Sequence, residues 1–269
     1  MKNSPEKWIE KLLLTPKEMN EVYQKLHKQK FKYPYFYKIV KGNQQLYFLG
    51  PHHIFNPKDS QVKTIKDWWN VFLGVTKKKN CIVLVEGGLR PVLKSEKVAI
   101  EKHGEPGLMT LLANKENIEV VSPEPDETKE ANSISKKFGK EKIIYYYFAR
   151  QVAQWHSYLE RPDFEKYTER LLKEYKNILN WKGFDFSLNH MIQLHDKFHN
   201  HKFDKENYDC FYNDSNPINS EVSAASSGYR NTYIVKEILM LWNNGRNIFI
   251  VYGSGHAITL EPALKILLN

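Results

Sequence analysis

NIFIVYGSGHA, residues 247–257, is the stretch from which the fold of this chain can be read. Ile248 to Tyr252 form a continuous apolar, β-branched and aromatic run, of the length expected for a strand buried on both faces. The run breaks at Gly253 and Gly255, and His256 stands just beyond the break. That pattern predicts a central strand that delivers a titratable side chain to the rim of a sheet. LYFLGPHH, residues 46–53, repeats the design: an apolar strand, Gly50, and His53 three residues later. Two strands ending in Gly-x-x-His predict a site built by convergence.

Working outward, residues 35–40 and 45–49 read as a β-hairpin around the Lys41-Gly42-Asn43 turn, and the second strand of that hairpin leads to Gly50 and His53. CIVLV, residues 81–85, is a buried strand running into Glu86-Gly87-Gly88, and a strand over 118–121 ends in Ser122-Pro123-Glu124-Pro125. Helical periodicity marks residues 5–29, divided at Pro16 with Thr15 as cap, and a helix from Asn56-Pro57-Lys58-Asp59 to about residue 79. Further helices are predicted over 107–114, 143–159, 164–179, 188–198, 229–243 and 259–268. Residues 202–227 have loop composition. Strands separated by helices predict an α/β fold, with a mainly parallel central sheet and helices on both faces. The expected organisation is a single domain over 1–269, with 127–227 as a helical insertion or cap and 1–30 as an N-terminal helical segment.

Ligand sites of open parallel sheets form at the carboxyl ends of the strands. Four strands here end in a chemically active residue: His52 and His53, Glu86, Glu124 and His256. A helix opening at Tyr229 would place Arg230 and Asn231 on the same rim. An arginine in a helix's first turn is disfavoured by the dipole, which argues for a reason such as carboxylate binding. His103, His156, His190, His195, His199 and His201 lack a strand-end context. His195 and His199 have i, i+4 spacing, at which a metal pair is conceivable, but no nearby glutamate completes a metal motif and the surroundings read as loop.

Bulk properties narrow the function. The chain has 269 residues, 41% hydrophobic and 26% charged, with 13% aromatic, enough for a sizeable core. A net charge of +9 permits attraction to nucleic acid, anionic lipid or acidic substrates. The lysines are nevertheless scattered, and no recognition helix or stacking motif for nucleic acid is present. Cys81 and Cys210 are too few for a disulfide framework; Cys81 reads as a buried strand residue and Cys210 as a candidate free thiol. No apolar run reaches membrane-spanning length, and residues 1–16 hold too short an apolar patch for a signal core. A cytoplasmic location with no membrane span is the expectation.

The two Gly-x-x-His strand ends (Gly50 to His53 and Gly253 to His256), VLVEGG with Glu86, SPEP with Glu124, and Tyr229-Arg230-Asn231 resemble, in that order, the motifs of the Tiki/TraB/GumN group. That group is related to erythromycin esterase and to the haem-uptake protein ChaN. The resemblance covers roughly residues 45–260. It implies an α/β core with a helical insertion and hydrolytic chemistry, metal-dependent peptidases in one branch and water-activating histidine esterases in another. It places His53, Glu86, Arg230, His256 and Glu124 at the reacting centre; His52, Asn231 and Tyr229, beside them on the rim, are the expected substrate contacts. Pro51-His52 departs from the group's pattern, which leaves the choice between His52 and His53 open.

Hydrolysis of an ester, lactone or peptide bond by activated water is therefore the expected activity. His53, Glu86 and His256 supply the ligand types that bind zinc, manganese or cobalt, with Glu86 as ligand or general base and Arg230 stabilising the oxyanion. A metal-free version uses the same residues, with His53 oriented by a glutamate. Neither cysteine stands at a strand end, and Ser122 and Ser254 lack an elbow motif, which argues against a covalent nucleophile. The alternative expectation is a binding protein that holds haem or another anionic ligand on the same rim.

Overall fold

A computed structural model describes residues 5–158, 160–207 and 217–269. Two short helices, α1 (Pro5–Glu10) and α2 (Pro16–Lys28), precede the hairpin β1 (Tyr35–Lys41) and β2 (Gln44–Gly50). Then follow α3 (Ser60–Thr76), β3 (Cys81–Val85), α4 (Glu96–Lys115), β4 (Glu119–Val121), α5 (Glu127–Phe138), α6 (Lys140–Ser157), α7 (Phe164–Leu179) and α8 (Leu188–Phe198). After the last undescribed segment come α9 (Pro217–Asn243), β5 (Asn247–Val251) and α10 (Ser254–Leu268). Cys210 lies outside the described residues.

The five strands form one sheet in the order β1-β2-β5-β3-β4. Only the β1–β2 hairpin is antiparallel; β5 pairs in parallel with both β2 and β3, and β3 with β4. The fold is α/β, and the strand quoted first is the central one. All five of its residues are buried, because neighbours cover both edges and helices cover both faces. Alternation assigns those faces. Leu46, Phe48, Ile82, Leu84, Ile248 and Ile250 pack with Ile234, Ile238 and Trp242 of α9 and with Leu260 and Leu264 of α10. Tyr47, Leu49, Val83, Val85, Phe249 and Val251 face the other way, onto Val62, Ile65, Trp69 and Phe72 of α3 and Leu108 and Met109 of α4.

The chain divides into two compact units, Met1–Glu124 with Arg230–Asn269, and Pro125–Tyr229. The first contains the sheet. The second is helical, with a core of Tyr145, Phe148, Val152 and Trp155 from α6, Phe164 and Leu172 from α7, and Met191 and Leu194 from α8. Its two buried indoles each find an acceptor: Trp155 Nε1 donates to the Pro162 carbonyl at 2.7 Å and Trp181 Nε1 to Asn132 Oδ1 at 2.8 Å.

Three helix boundaries differ from expectation. α4 is two helical stretches joined across a kink at Gly104 (φ 63°, ψ −151°): the second contains the helix expected over 107–114, and the first, from Glu96, was not expected. α9 begins at Pro217 rather than Tyr229. Its first half, rich in serine and alanine, lacks an apolar stripe, although Val222 and Ser226 are buried. α10 begins at Ser254, so His256 lies in its first turn rather than ahead of it. Among the described residues, no helix is long and apolar enough to cross a membrane.

Gly50 is where β2 and α10 come closest. A Cβ there would sit 2.6 Å from Ala257 Cβ and 3.0 Å from Ser254 Cα. We expect Gly50→Ala to destabilise the protein by about 1–3 kcal/mol through overpacking. Gly74 lies in the interior of α3, and a Cβ added there would have no neighbour within 4 Å. Gly74→Ala should therefore be neutral or stabilising by up to about 1 kcal/mol. Urea denaturation of the two variants measures the contrast.

Candidate active site at the carboxyl rim of the sheet

Because β2, β5, β3 and β4 run parallel, their carboxyl ends share one edge. Arg230 is the centre of what gathers there. Its Nε donates to Glu124 Oε2 at 2.6 Å and its Nη2 to Glu124 Oε1 at 2.7 Å, a bidentate pair. Nη2 also donates to Glu86 Oε1 at 3.1 Å. Nη1 lies 3.0 Å from His256 Nε2. Arg230 stands near the middle of α9, not in a first turn, so the helix dipole is not what selects it. Burial alone would lower its pKa; Glu124 first, then Glu86, more than reverse that and hold the guanidinium firmly charged.

The two glutamates are anchored by backbone. Glu86 Oε2 accepts from the Gly253 amide at 2.7 Å, and Glu124 Oε1 accepts from the Gly87 amide at 2.9 Å. Ser122 Oγ accepts from the Gly88 amide at 2.9 Å and donates to the Val85 carbonyl at 2.8 Å. These bonds tie the loop after β3 to the loop after β4. They require Gly87 and Gly88 at φ 75° and 95°, which side-chain-bearing residues rarely adopt. Burial pushes the Glu86 carboxyl up, but the charged Arg230 guanidinium and the Gly253 amide oppose that and hold it below the usual carboxylate range. Glu86 is thus an anion whose two oxygens are engaged by Arg230 and the Gly253 amide.

His256 Nδ1 lies 2.6 Å from Asn231 Oδ1, which can only accept, so the ring carries its proton on Nδ1. Nε2 then accepts from Arg230 Nη1, whose hydrogens are permanent; Glu86 Oε1 is farther from Nε2, at 3.5 Å. Asn231 is buried and holds this tautomer.

His53 stands on the other side of Gly253. A Cβ placed on Gly253 would be 3.2 Å from Glu86 Oε2, 3.5 Å from His53 Cε1 and 3.7 Å from His53 Nε2. His53 Nδ1 donates to Glu105 Oε1 at 3.1 Å, while Glu105 Oε2 accepts from the Ile54 amide at 2.9 Å. Glu105 is 2% exposed, whereas the His53 side chain is 68% exposed. The Glu105 hydrogen bond raises the His53 pKa above its ordinary value, against an opposing contribution from burial. Glu105 is the site residue that sequence reasoning missed. The available signal was the HGEPG sequence, a glutamate between two glycines inside a helical stretch: Gly104 lets the backbone turn, and a Cβ on it would meet the Ile54 carbonyl at 3.1 Å.

His53, Glu86, Glu124, Arg230, Asn231 and His256 therefore come together, and His52 does not join them. Its ring packs on Tyr33 with centroids 3.7 Å apart, and its amide donates to Gln61 Oε1 at 3.1 Å. Tyr229 belongs to the helical unit, where it packs against that unit's core. The donor set His53, Glu86 and His256 does not suit a metal ion. Glu86 Oε1 and His256 Nε2 both face the Arg230 guanidinium, a permanent cation that would repel a metal ion at that place. Among the described residues, the trio whose ligand atoms all lie within 4.8 Å of one another is His195, His199 and His201 in the helical unit. There, burial and then the neighbouring imidazoles push His195 down to about 4, and burial with His201 lowers His199.

Glu86, with its carboxyl lowered on folding, contributes stability that is present above the ordinary glutamate value of 4.5 and is lost as pH falls below it. Glu86→Gln should cost about 3 kcal/mol at pH 7, where an arginine loses a partly buried partner. The gap from wild type should shrink steadily below pH 4.5 in urea titrations. No family model, curated protein or solved structure matches this chain.

Proposed function

We propose that the rim is the active site of a hydrolase that cleaves an ester, lactone or peptide bond with water activated by His53, without a metal at this centre. The observation that carries the reading is the His53–Glu105 pair beside the Arg230 cluster. An exposed imidazole whose Nδ1–H is tied to a buried carboxylate has its Nε2 lone pair free of that bond and oriented for proton transfer. In the reaction, Nε2 takes a proton from water as the water oxygen attacks the carbonyl carbon. The tetrahedral oxyanion that forms is stabilised by Arg230. The bond to the leaving group then breaks, and the imidazolium returns its proton to the departing oxygen or nitrogen, leaving a carboxylic acid product. Glu86, Glu124 and His256 act as positioning residues, since their contacts fix the guanidinium.

Charge balance favours this reading over an anion- or haem-binding rim. Two carboxylates, Glu86 and Glu124, and His256 already take up the Arg230 donors, so an incoming propionate or phosphate would have to compete with bound carboxylates for them. A neutral or cationic substrate suits the site better. The likeness to the Tiki/TraB/GumN group points to the same reaction class through its esterase relatives.

A panel of neutral ester, lactone and peptide substrates tests the proposal. His53→Ala should lower kcat/KM by about 10²- to 10⁴-fold, and His52→Ala should leave it near wild type. Wild-type kcat/KM should fall on acidification with an apparent pKa above the ordinary histidine value. Glu105→Gln should lower the rate and move that acid limb to lower pH, because the carboxylate that raises the His53 pKa is gone. Turnover that survives both His53→Ala and His256→Ala would sink the assignment, and tight haem binding without turnover would favour the binding reading.

A further inference from the structure

The helical unit holds a cluster that the rim chemistry does not use. His195 ends the buried face of α8, His199 caps that helix, and His201 follows in the next turn. We infer that His195, His199 and His201 form a binding site for a divalent transition-metal ion of the zinc class.

The arrangement is built rather than incidental. His195 is fully buried, which a histidine with two polar nitrogens tolerates only when both have partners. On one side, Tyr145 of α6, also fully buried, places its hydroxyl 2.9 Å from His195 Nδ1 and 2.7 Å from His199 Nε2. A single hydroxyl bridging two imidazoles orients both rings, the role that groups behind metal-binding histidines play. On the other side, His195 Nε2 and His201 Nδ1 lie 3.3 Å apart. That equals the spacing of about 3.3 Å between neighbouring ligands on a tetrahedral ion with metal–nitrogen distances near 2.0–2.1 Å. The three candidate ligand atoms all lie within 4.8 Å of one another, so a rotation of the His199 ring out of its stack on His195 is what closes the site around an ion.

The turn that carries His201 is itself held in position. Asp196 Oδ1 accepts from the Phe203 amide at 3.2 Å and Asp196 Oδ2 from Lys202 Nζ at 2.7 Å, while the His199 amide donates to the His195 carbonyl at 2.9 Å. His201 Nδ1 also lies 3.3 Å from the Lys202 carbonyl, so without an ion a proton on Nδ1 serves both neighbours. Metal binding moves that proton to Nε2 and puts the ion between His195 and His201. Three neutral imidazoles suit zinc, cobalt, nickel or copper and suit magnesium or calcium poorly. Sites of this kind are completed by a water or a ligand group. The ion would fasten the end of α8 and the turn after it.

Untagged protein, stripped with chelator and dialysed, is titrated with Zn²⁺ and separately with Co²⁺. Elemental analysis should find about one tightly held zinc per chain, and Co²⁺ should give the intense visible bands of a four-coordinate nitrogen site. His201→Gln, at an exposed position, should remove both signals while circular dichroism stays native, and His199→Gln provides a second variant. His53→Ala and His256→Ala should keep the metal, which separates this site from the rim. The inference is overturned if wild type binds only at millimolar metal, if the His199 and His201 variants bind as wild type does, or if the rim variants are the ones that lose it.

Discussion

The Arg230 guanidinium is the constraint on which the rim of the sheet depends. Taking a cation even partly out of water costs several kcal/mol unless its donors are matched by acceptors. Here the match is made by Glu124 on two donors, Glu86 on a third contact and His256 on a fourth. Each acceptor comes from a different segment: the loop after β4, the loop after β3 and the first turn of α10. One side chain from α9 therefore fixes the ends of three other segments relative to one another. The glycines follow from the same demand. Gly87 and Gly253 expose the amides that hold Glu124 and Glu86, and Gly50 lets α10 start against the end of β2.

His53 is attached to this frame differently, and the difference divides the site into two parts. The carboxylates bonded to Arg230 are arranged to hold charge, and Glu86 in particular is kept from titrating near neutrality. His53 bonds to a separate carboxylate, Glu105, that belongs to α4 and to no arginine contact among the described residues. Its ring is exposed, its pKa is raised, and it is the group at the rim suited to moving a proton. A fixed dipolar wall and a mobile proton carrier, separated by the bare backbone of Gly253, are the parts that the proposed addition of water to a carbonyl would use.

Much of this was legible in the residues alone. Continuous apolar runs ending in glycine identify β2, β3 and β5 and their shared edge, because a strand buried on both faces has no room for alternation. The rim residues followed from that edge, and His53, Glu86, Glu124, Arg230, Asn231 and His256 all lie on it. Glu105 was illegible because it reaches the site from a helix kink rather than a strand end, through a glycine and a proline that read as a break. The first half of α9 was illegible for another reason: its helix is specified by packing at Val222 and Ser226 and not by an apolar stripe. The choice between His52 and His53 turned on which ring meets Tyr33 and which meets Glu105, a matter of side-chain direction that spacing does not carry. The histidine cluster had half its signal in the i, i+4 pair, but His201 and Tyr145 join it only through tertiary structure.

The account turns on His53 as the proton carrier of the rim, and ¹⁵N-histidine NMR measures its titration directly. A pH titration of selectively labelled protein should show His53 with a pKa above 6.5 that drops in Glu105→Gln, and His256 in the Nδ1–H tautomer. Adding one equivalent of Zn²⁺ should leave both rim signals in place. A His53 pKa at or below 6.5 that does not respond to Glu105→Gln, or zinc-induced shifts of His53 and His256, would contradict the account.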